Sequence, residues 1–360
     1  MSKALIAMSG GVDSSVAAVF MKEKGYELIG VTMKLYDNED IHMSKEKTCC
    51  SLDDIEDARS VAYTLGFPYY VFNFKAEFDD KVVSKFVKCY QCGMTPNPCI
   101  DCNRHLKFAE LYRRAQALGC DVIVTGHYAR IQYDETTKKY QLLKGIDDSK
   151  DQSYVLYHMT QDQLAHTVFP LGEYTKDVIR QKAEDTGLLN AAKHDSQDIC
   201  FIPDGNHQKF IEKYTGEKVG SGNFLDINGN VIGQHRGYYR YTVGQRKGVN
   251  VNREGKSYVL EIRPKTNEVV VGRNKDLFKK GLLANDFNWI SGETPTEPIR
   301  VQGRTRYHQT LAQATASVLE DGSVQVVFDE PQRAITKGQS VVLYDGDVVL
   351  GGGTIIQVQD

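Results

Sequence analysis

The stretch Ala4-Leu5-Ile6-Ala7-Met8, running into Ser9-Gly10-Gly11-Val12-Asp13-Ser14-Ser15 and then into the apolar-periodic residues 16–21, decides the fold of this chain. The opening residues read as a buried strand and the closing ones as an amphipathic helix, so the segment between them is a strand-to-helix loop. Its two glycines remove Cβ atoms where a backbone would touch a phosphate. Ser9, Ser14 and Ser15 add hydroxyls, and the helix that follows adds its N-terminal N–H groups. The result is an anion cradle without the lysine of the GxxxxGK[ST] loop, which grips β- and γ-phosphates.

Outward from this loop, strand and helix alternate: strand 28–33, helix 52–65, strand 69–74, a helical stretch through residue 87, another over 106–118, and strand 121–124. That order predicts a doubly wound parallel α/β sheet. Ligands of such sheets sit at the carboxyl ends of the strands, which gathers the Ser9 loop, Met33 and Thr125-Gly126-His127-Tyr128 around one crevice. Residues 161–189 read as two more helices, the second capped by Thr175. Past Gly205 the pattern changes to short β-like runs broken by Gly and Asn. The predicted organisation is a nucleotide-binding domain over 1–205, a small β-rich middle domain over 206–283 and a C-terminal β-barrel or sandwich over 284–360.

Composition narrows the class. A chain of 360 residues can hold two or three domains, and 41% hydrophobic with 25% charged residues matches a soluble globular protein. No apolar run reaches bilayer-spanning length, and the chain enters the phosphate loop with no room for a signal peptide, so a cytoplasmic protein without a membrane partner is expected. The net charge is only −3, so a nucleic-acid partner needs a local patch. Residues 207–256 supply one, with nine Lys/Arg against four Asp/Glu. There Arg236, Arg240 and Arg246 interleave with Tyr238, Tyr239 and Tyr241, a pattern suited to RNA backbone and stacking contacts. The tyrosines serve equally well as the core of a small β domain.

Eight cysteines in such a chain point to catalysis or metal binding rather than structural disulfides. Cys89 and Cys92 form one CxxC pair and Cys99 and Cys102 another, with six residues between the pairs, a spacing compatible with zinc or an iron–sulfur cluster. Cys200 stands alone in Ser196-Gln-Asp-Ile-Cys-Phe-Ile-Pro203, at the junction of the α/β and β halves where a cleft is expected, and reads as a reactive thiol.

The phosphate loop resembles the SGGxDS loop of the PP-loop ATP pyrophosphatases, whose nucleotide-binding domain is of the adenine nucleotide alpha hydrolase-like type. Over nearly the whole length, the chain is similar to the bacterial tRNA-specific 2-thiouridylases. The likeness rests on 7–14, Thr-Pro-Asn-Pro-Cys-Ile-Asp-Cys-Asn-Arg (95–104), Thr-Gly-His-Tyr-Ala-Arg (125–130), Lys-Asp-Gln-Ser-Tyr (150–154), Ser-Gln-Asp-Ile-Cys-Phe-Ile (196–202), Tyr-Thr-Val-Gly-Gln-Arg-Lys-Gly (241–248), Arg-Tyr (306–307), Gly-Gln (338–339) and Leu-Gly-Gly-Gly (350–353). The resemblance implies ATP with Mg²⁺, held by Ala7, Met8, Ser9, Gly10, Gly11, Val12, Asp13, Ser14, Met33 and Gly126. It implies adenylation of the O2 of a wobble uridine, then sulfur delivery from a persulfide on Cys200 with Cys102 as second catalytic cysteine, closing to a Cys102–Cys200 disulfide or serving acid–base chemistry.

Asn97, Pro98 and Cys99 are then expected at the target base, and His127, Lys150, Asp151, Gln152, Arg306, Tyr307 and Gln339 on the surrounding RNA. The partners implied are tRNAs of the Glu, Gln and Lys type and a persulfide donor or relay protein. Cys99 stands where some family members carry an acidic residue. A third thiol there opens a second route, a [4Fe–4S] cluster on Cys99, Cys102 and Cys200. A different PP-loop adenylating RNA-modifying enzyme is the remaining alternative. Gly93 and the prolines up to Pro98 suggest a mobile segment that closes on tRNA.

Overall fold

The computed structural model describes residues 2–36, 52–191, 193, 199–251 and 255–360. Its first domain holds a parallel five-stranded sheet in the order Tyr69–Asn73, Glu27–Lys34, Lys3–Ala7, Val122–Val124, Thr167–Val168. The opening strand is buried on both faces. Leu5 packs into one core with Ile29, Val31 and Ile123, while Ala4, Ile6 and Met8 pack into the other with Val16, Ala17 and Val19 of the following helix. This is why its sequence is a continuous apolar run rather than an alternation. Strand order reverses between Lys3–Ala7 and Val122–Val124, the position at which doubly wound sheets open a ligand crevice.

The expected helix over 52–65 is present as Leu52–Leu65. The two expected over 161–189 are Gln161–Ala165 and Lys176–Asp185. Thr175 holds the N-cap position without a side-chain bond, whereas Thr160 and Gln163 make a full capping box for the first of the pair.

The middle domain is a four-stranded sheet in the order Tyr258–Arg263, Glu268–Gly272, Gly222–Leu225, Val231–His235. Tyr238, Tyr239 and Tyr241 are buried in one core with Phe224, Val259 and Val269, and that core is continuous with Phe78, Phe86 and Phe201 of the first domain. The core reading of these tyrosines is therefore the correct one, while Arg236, Arg240 and Arg246 are exposed.

The C-terminal domain is a barrel rather than a sandwich. Phe278–Trp289 pairs with both Val324–Arg333 and Val348–Gln359, closing a ring completed by Ala312–Val318, Ile299–Arg304 and Ser340–Asp345. The strand Phe278–Trp289 runs straight through the expected boundary at 283/284, so the barrel begins at Phe278, with the 3₁₀ turn Asn274–Leu277 leading into it. A hairpin from the first domain, Ala129–Asp134 with Lys139–Lys144, joins the barrel sheet through Leu143 and Val348. This hairpin, which the sequence reading passes over, ties the two domains together. Among the described residues no helix is long and apolar enough to cross a membrane.

Candidate active site

Gly10 adopts φ +75°, and a Cβ there would lie 2.4 Å from the Asp54 carbonyl oxygen. Only glycine makes that turn beside the Leu52–Leu65 helix. Gly11 then serves as N-cap of the helix Val12–Glu23 with no side-chain cap, so the first N–H groups of that helix point outward without an intrahelical partner. The loop is held from inside. Ser14 Oγ accepts from Ser9 N–H (3.2 Å) and donates to the Gly11 carbonyl (3.0 Å), while the amide of Asn190 donates to the Gly10 carbonyl and to Ser15 Oγ (both 2.9 Å).

Gly126 closes the other wall of the crevice. A Cβ on it would meet the Asp13 carbonyl carbon and the Ser14 nitrogen at 2.9 Å. Ala7 and Met33, at the ends of the two central strands, are half-buried beside the same crevice, whereas Met8 and Val12 are core residues that support the loop from beneath. An uncapped helix N-terminus beside a wall without Cβ atoms fits a nucleotide phosphate chain.

Sequence reading missed the cations here. Lys176, buried at the first turn of Lys176–Asp185, puts its ammonium 2.7 Å from Asp13 Oδ1, and Tyr128 OH donates to the same oxygen at 2.8 Å. The signal was available, because a lysine at a helix N-terminus opposes the helix dipole and needs another reason to be there. Lys193 likewise bonds Asp54 and Asp57 at 2.6 Å, beside Gly10.

His127 is buried and held neutral, pushed well below its usual range by burial and by the nearby charge of Lys107. Its Nδ1 is 2.6 Å from Thr125 Oγ1 and its Nε2 lies 3.5 Å from Lys107 Nζ, which assigns the proton to Nδ1. Lys107 belongs to Cys102–Glu110, a segment wound as a π-helix, a form concentrated at functional sites.

Cys102 begins that segment. Burial pushes its thiol up to about 11, with Lys107 pulling the other way. Cys102 and Cys200 pack against the same apolar core and are not joined to each other. Tyr36 OH donates to the Cys200 carbonyl at 2.9 Å, and Phe201 stacks edge-on to Phe78 and Phe86, which anchors the Cys200 turn on the helices Lys75–Phe78 and Ser84–Gln91. Residues 194–198 of the Cys200 motif, and Cys49 and Cys50, lie outside the described residues.

Cys99 is exposed while Cys102 is half-buried against the core, and among the described residues no three Cys, His, Asp or Glu side chains converge on one point. The ligand set of a [4Fe–4S] cluster on Cys99, Cys102 and Cys200 is therefore not assembled. Nor do the two CxxC pairs meet: Cys92 ends the helix Ser84–Gln91, and its pair is separated from Cys99 by a loop docked on the barrel.

That loop is hydrogen-bonded to the barrel at Thr95. Thr95 N–H donates to the Lys337 carbonyl (2.9 Å) and Gln339 donates to the Thr95 carbonyl (2.8 Å). Asn97 caps the short helix Pro98–Asp101 by accepting from Cys99 N–H at 3.1 Å, and Pro98 is buried at its first position. Arg306, Tyr307 and Gln339 come together on a cavity of about 650 Å³, whose lining includes Thr95, Thr242 and Arg333. Asp151 stands apart from these, buried and ion-paired to Arg304, while Lys150 and Gln152 are half-buried.

Three family models match in succession: a tRNA methyl transferase HUP domain over residues 2–204, a tRNA methyl transferase PRC-barrel domain over 208–273 and an aminomethyltransferase beta-barrel domain over 279–355. Among curated proteins, the chain is 49% identical to a tRNA-specific 2-thiouridylase MnmA of Clostridioides difficile (strain 630), across 98% of both chains. It is 51% identical to that of Clostridium botulinum (strain Alaska E43 / Type E3), across 98% of this chain and 97% of the relative. It is 49% identical to that of Lachnoclostridium phytofermentans, across 99% and 100%. With the phosphate loop, the crevice and all three domains accounted for along its length, this chain belongs to the tRNA-specific 2-thiouridylase family.

Proposed function

We propose that this protein uses ATP to replace the C2 oxygen of a tRNA wobble uridine with sulfur. The observation that carries the reading is a crevice with an uncapped helix N-terminus on one wall, in a chain that also holds Cys102 and Cys200 against one shared core. ATP lies with its phosphates on the Ser9–Ser14 loop and its adenosine against Ala7, Met33 and Gly126. Mg²⁺ enters with the triphosphate, because no carboxylate cluster among the described residues would hold it alone.

The uridine O2 attacks the α-phosphate and pyrophosphate leaves, so the oxygen becomes part of a good leaving group. The terminal sulfur of a Cys200 persulfide attacks C2 and AMP departs with the oxygen. Cys102, losing its proton, attacks Cys200 Sγ, which frees 2-thiouridine and leaves a Cys102–Cys200 disulfide for a thiol reductant. A thiol held protonated by burial, as Cys102 is, stays inert until substrate reaches it.

The wobble base, splayed from a single-stranded loop, is met by Asn97, Pro98 and Cys99. His127, Lys150, Arg306, Tyr307 and Gln339 take neighbouring RNA, and the exposed arginines of the middle domain take its phosphates. The substrates are tRNAs of the Glu, Gln and Lys type, the sulfur comes from a persulfide donor or relay protein, and the setting is the cytoplasm.

The test is sulfur incorporation into an unmodified tRNA with ATP, Mg²⁺ and a persulfide donor, read by nucleoside mass spectrometry on iron-free protein. Product with the wild type and none with Cys200→Ser is the expected result. Product only after anaerobic iron–sulfur reconstitution would overturn the persulfide route.

A further inference from the structure

We infer that Asp151 acts as a positioning residue rather than as a contact to RNA: with Tyr128, Gln152 and Arg304 it forms a strut that holds the Arg306 and Tyr307 wall of the barrel cavity in register with the phosphate loop. The inference rests on the thiolation reading above and assigns a part in it to a carboxylate with no free acceptor site for substrate.

The strut begins at Asp13, which accepts from Tyr128 OH at 2.8 Å. The backbone of Tyr128 is clasped both ways by Gln152: Tyr128 N–H donates to Gln152 Oε1 (3.0 Å) and Gln152 N–H donates to the Tyr128 carbonyl (2.9 Å). Gly145 backs the same carbonyl so closely that a Cβ would come within 2.9 Å of it. Asp151 comes next, with its side chain 1% exposed. Its carboxylate accepts from Gly145 N–H (3.2 Å), Ser153 N–H (3.0 Å), Ser153 Oγ (3.0 Å) and Arg304 Nη2 (2.7 Å). Four donors fill the acceptor sites of a carboxylate, and a buried anion with no site left has nothing to offer an RNA phosphate.

Arg304 carries the strut into the barrel. It donates to Tyr344 OH at 2.8 Å and lies over the rings of Tyr154 and Tyr344 at 5.4 and 5.0 Å. The Tyr154 ring is in turn 6.0 Å from that of Tyr307. Arg304 ends the strand Ile299–Arg304, and two residues on Arg306 donates to the carbonyls of Val243 (3.0 Å) and Ala334 (2.9 Å). Arg304 Nε is buried without a partner, a cost that a purely stabilising pair would not carry. Buried pairs of this kind fix geometry more than they add stability, and geometry is what two separated binding sites on one substrate require.

A double-mutant cycle of Asp151→Asn with Arg304→Gln tests this, alongside Tyr344→Phe, which removes one hydroxyl from a residue that does not line the cavity. The readouts are the single-turnover thiolation rate at saturating tRNA, the tRNA Kd across a salt series, and Tm. Each single change is expected to lower the rate about tenfold or more, with the double variant no worse than the poorer single. The slope of log Kd against log salt should stay unchanged, and Tyr344→Phe should lose rate by a few fold at constant Kd. Additive losses confined to Kd, a shallower salt slope in Arg304→Gln, or a wild-type rate in Tyr344→Phe would each overturn the strut. A wild type that makes no 2-thiouridine would refute the functional reading instead.

Discussion

Gly10 and Gly11 are neighbours in one loop, yet alanine should damage them in different ways. At Gly10, alanine must hold φ +75°, which costs about 1–2 kcal/mol, and its Cβ would sit 2.4 Å from the backbone oxygen of Asp54. A helix carbonyl cannot swing aside, so the shift adds about 1–3 kcal/mol of overpacking. The sum, about 2–5 kcal/mol, corresponds to about 4–20 °C in the Tm of a domain of this size. At Gly11 φ is −88°, and the nearest atom to an added Cβ is Ser9 Oγ at 3.5 Å, ordinary contact. Gly11→Ala should therefore melt with the wild type.

If phosphate rests on the N–H groups beyond Gly11, the new methyl stands in its path and ATP affinity should drop about tenfold or more. Differential scanning fluorimetry and calorimetric titration with a non-hydrolysable ATP analogue separate the two effects. A Gly11→Ala variant with both Tm and ATP affinity unchanged would refute the placement of the phosphates. An unperturbed Gly10→Ala would refute the account of the turn.

Lys176→Met removes the buried cation on Asp13 and leaves Tyr128 OH donating to that carboxylate oxygen. The variant should lose about 1–3 kcal/mol in urea unfolding and raise the KM for ATP, with Lys176→Arg recovering part of the affinity. Because burial raises the Cys102 thiol to about 11 from 9.0, the folded state keeps its proton longer than the unfolded chain does. Its contribution to stability is thus intact below pH 9 and falls between pH 9 and 11, by about 1.4 kcal/mol per unit.

Replacing Cys102 with Ser should flatten that alkaline decline in stability. Lys107→Met, which removes the charge opposing the shift, should slow iodoacetamide labelling of the Cys102 peptide between pH 8 and 10, and an unchanged labelling rate would remove Lys107 from the picture. Charge reversal at Arg240 and Arg246 together should reduce the salt slope of tRNA binding by about 2, whereas equal slopes would place the RNA elsewhere.

The opening strand, loop and helix were legible because a parallel strand buried on both faces must be a continuous apolar run and a phosphate loop must be rich in glycine. Both are local requirements written in consecutive residues. The Leu52–Leu65 helix was legible for the same reason, its apolar residues recurring at helical spacing within one segment. Less was visible where partners are distant. The hairpin Ala129–Asp134 and Lys139–Lys144 was missed even though Ala129, Ile131 and Tyr133 alternate with Arg130, Gln132 and Asp134; what no local pattern encodes is its docking through Leu143 on Val348, some two hundred residues later. Tyr238, Tyr239 and Tyr241 suited stacking and core equally on sequence, and only their packing beneath Phe224 and against the first domain decided for the core.

The site divides in the same way. The chemistry proposed for the chain, an anion loop followed by reactive cysteines, was read from residue type and order, since which atoms can bind phosphate or carry sulfur does not depend on the fold. Which charges meet did depend on it. Lys176 reaches Asp13 across 163 positions and Arg304 reaches Asp151 across 153, and no local pattern encodes either pairing. The separation of Cys99 from Cys102 is also tertiary. Three residues apart on a helical segment, they differ because Cys99 is exposed while Cys102 is half-buried against the core, and desolvation there, more than the neighbouring Cys99 and Asp101, raises the Cys102 thiol.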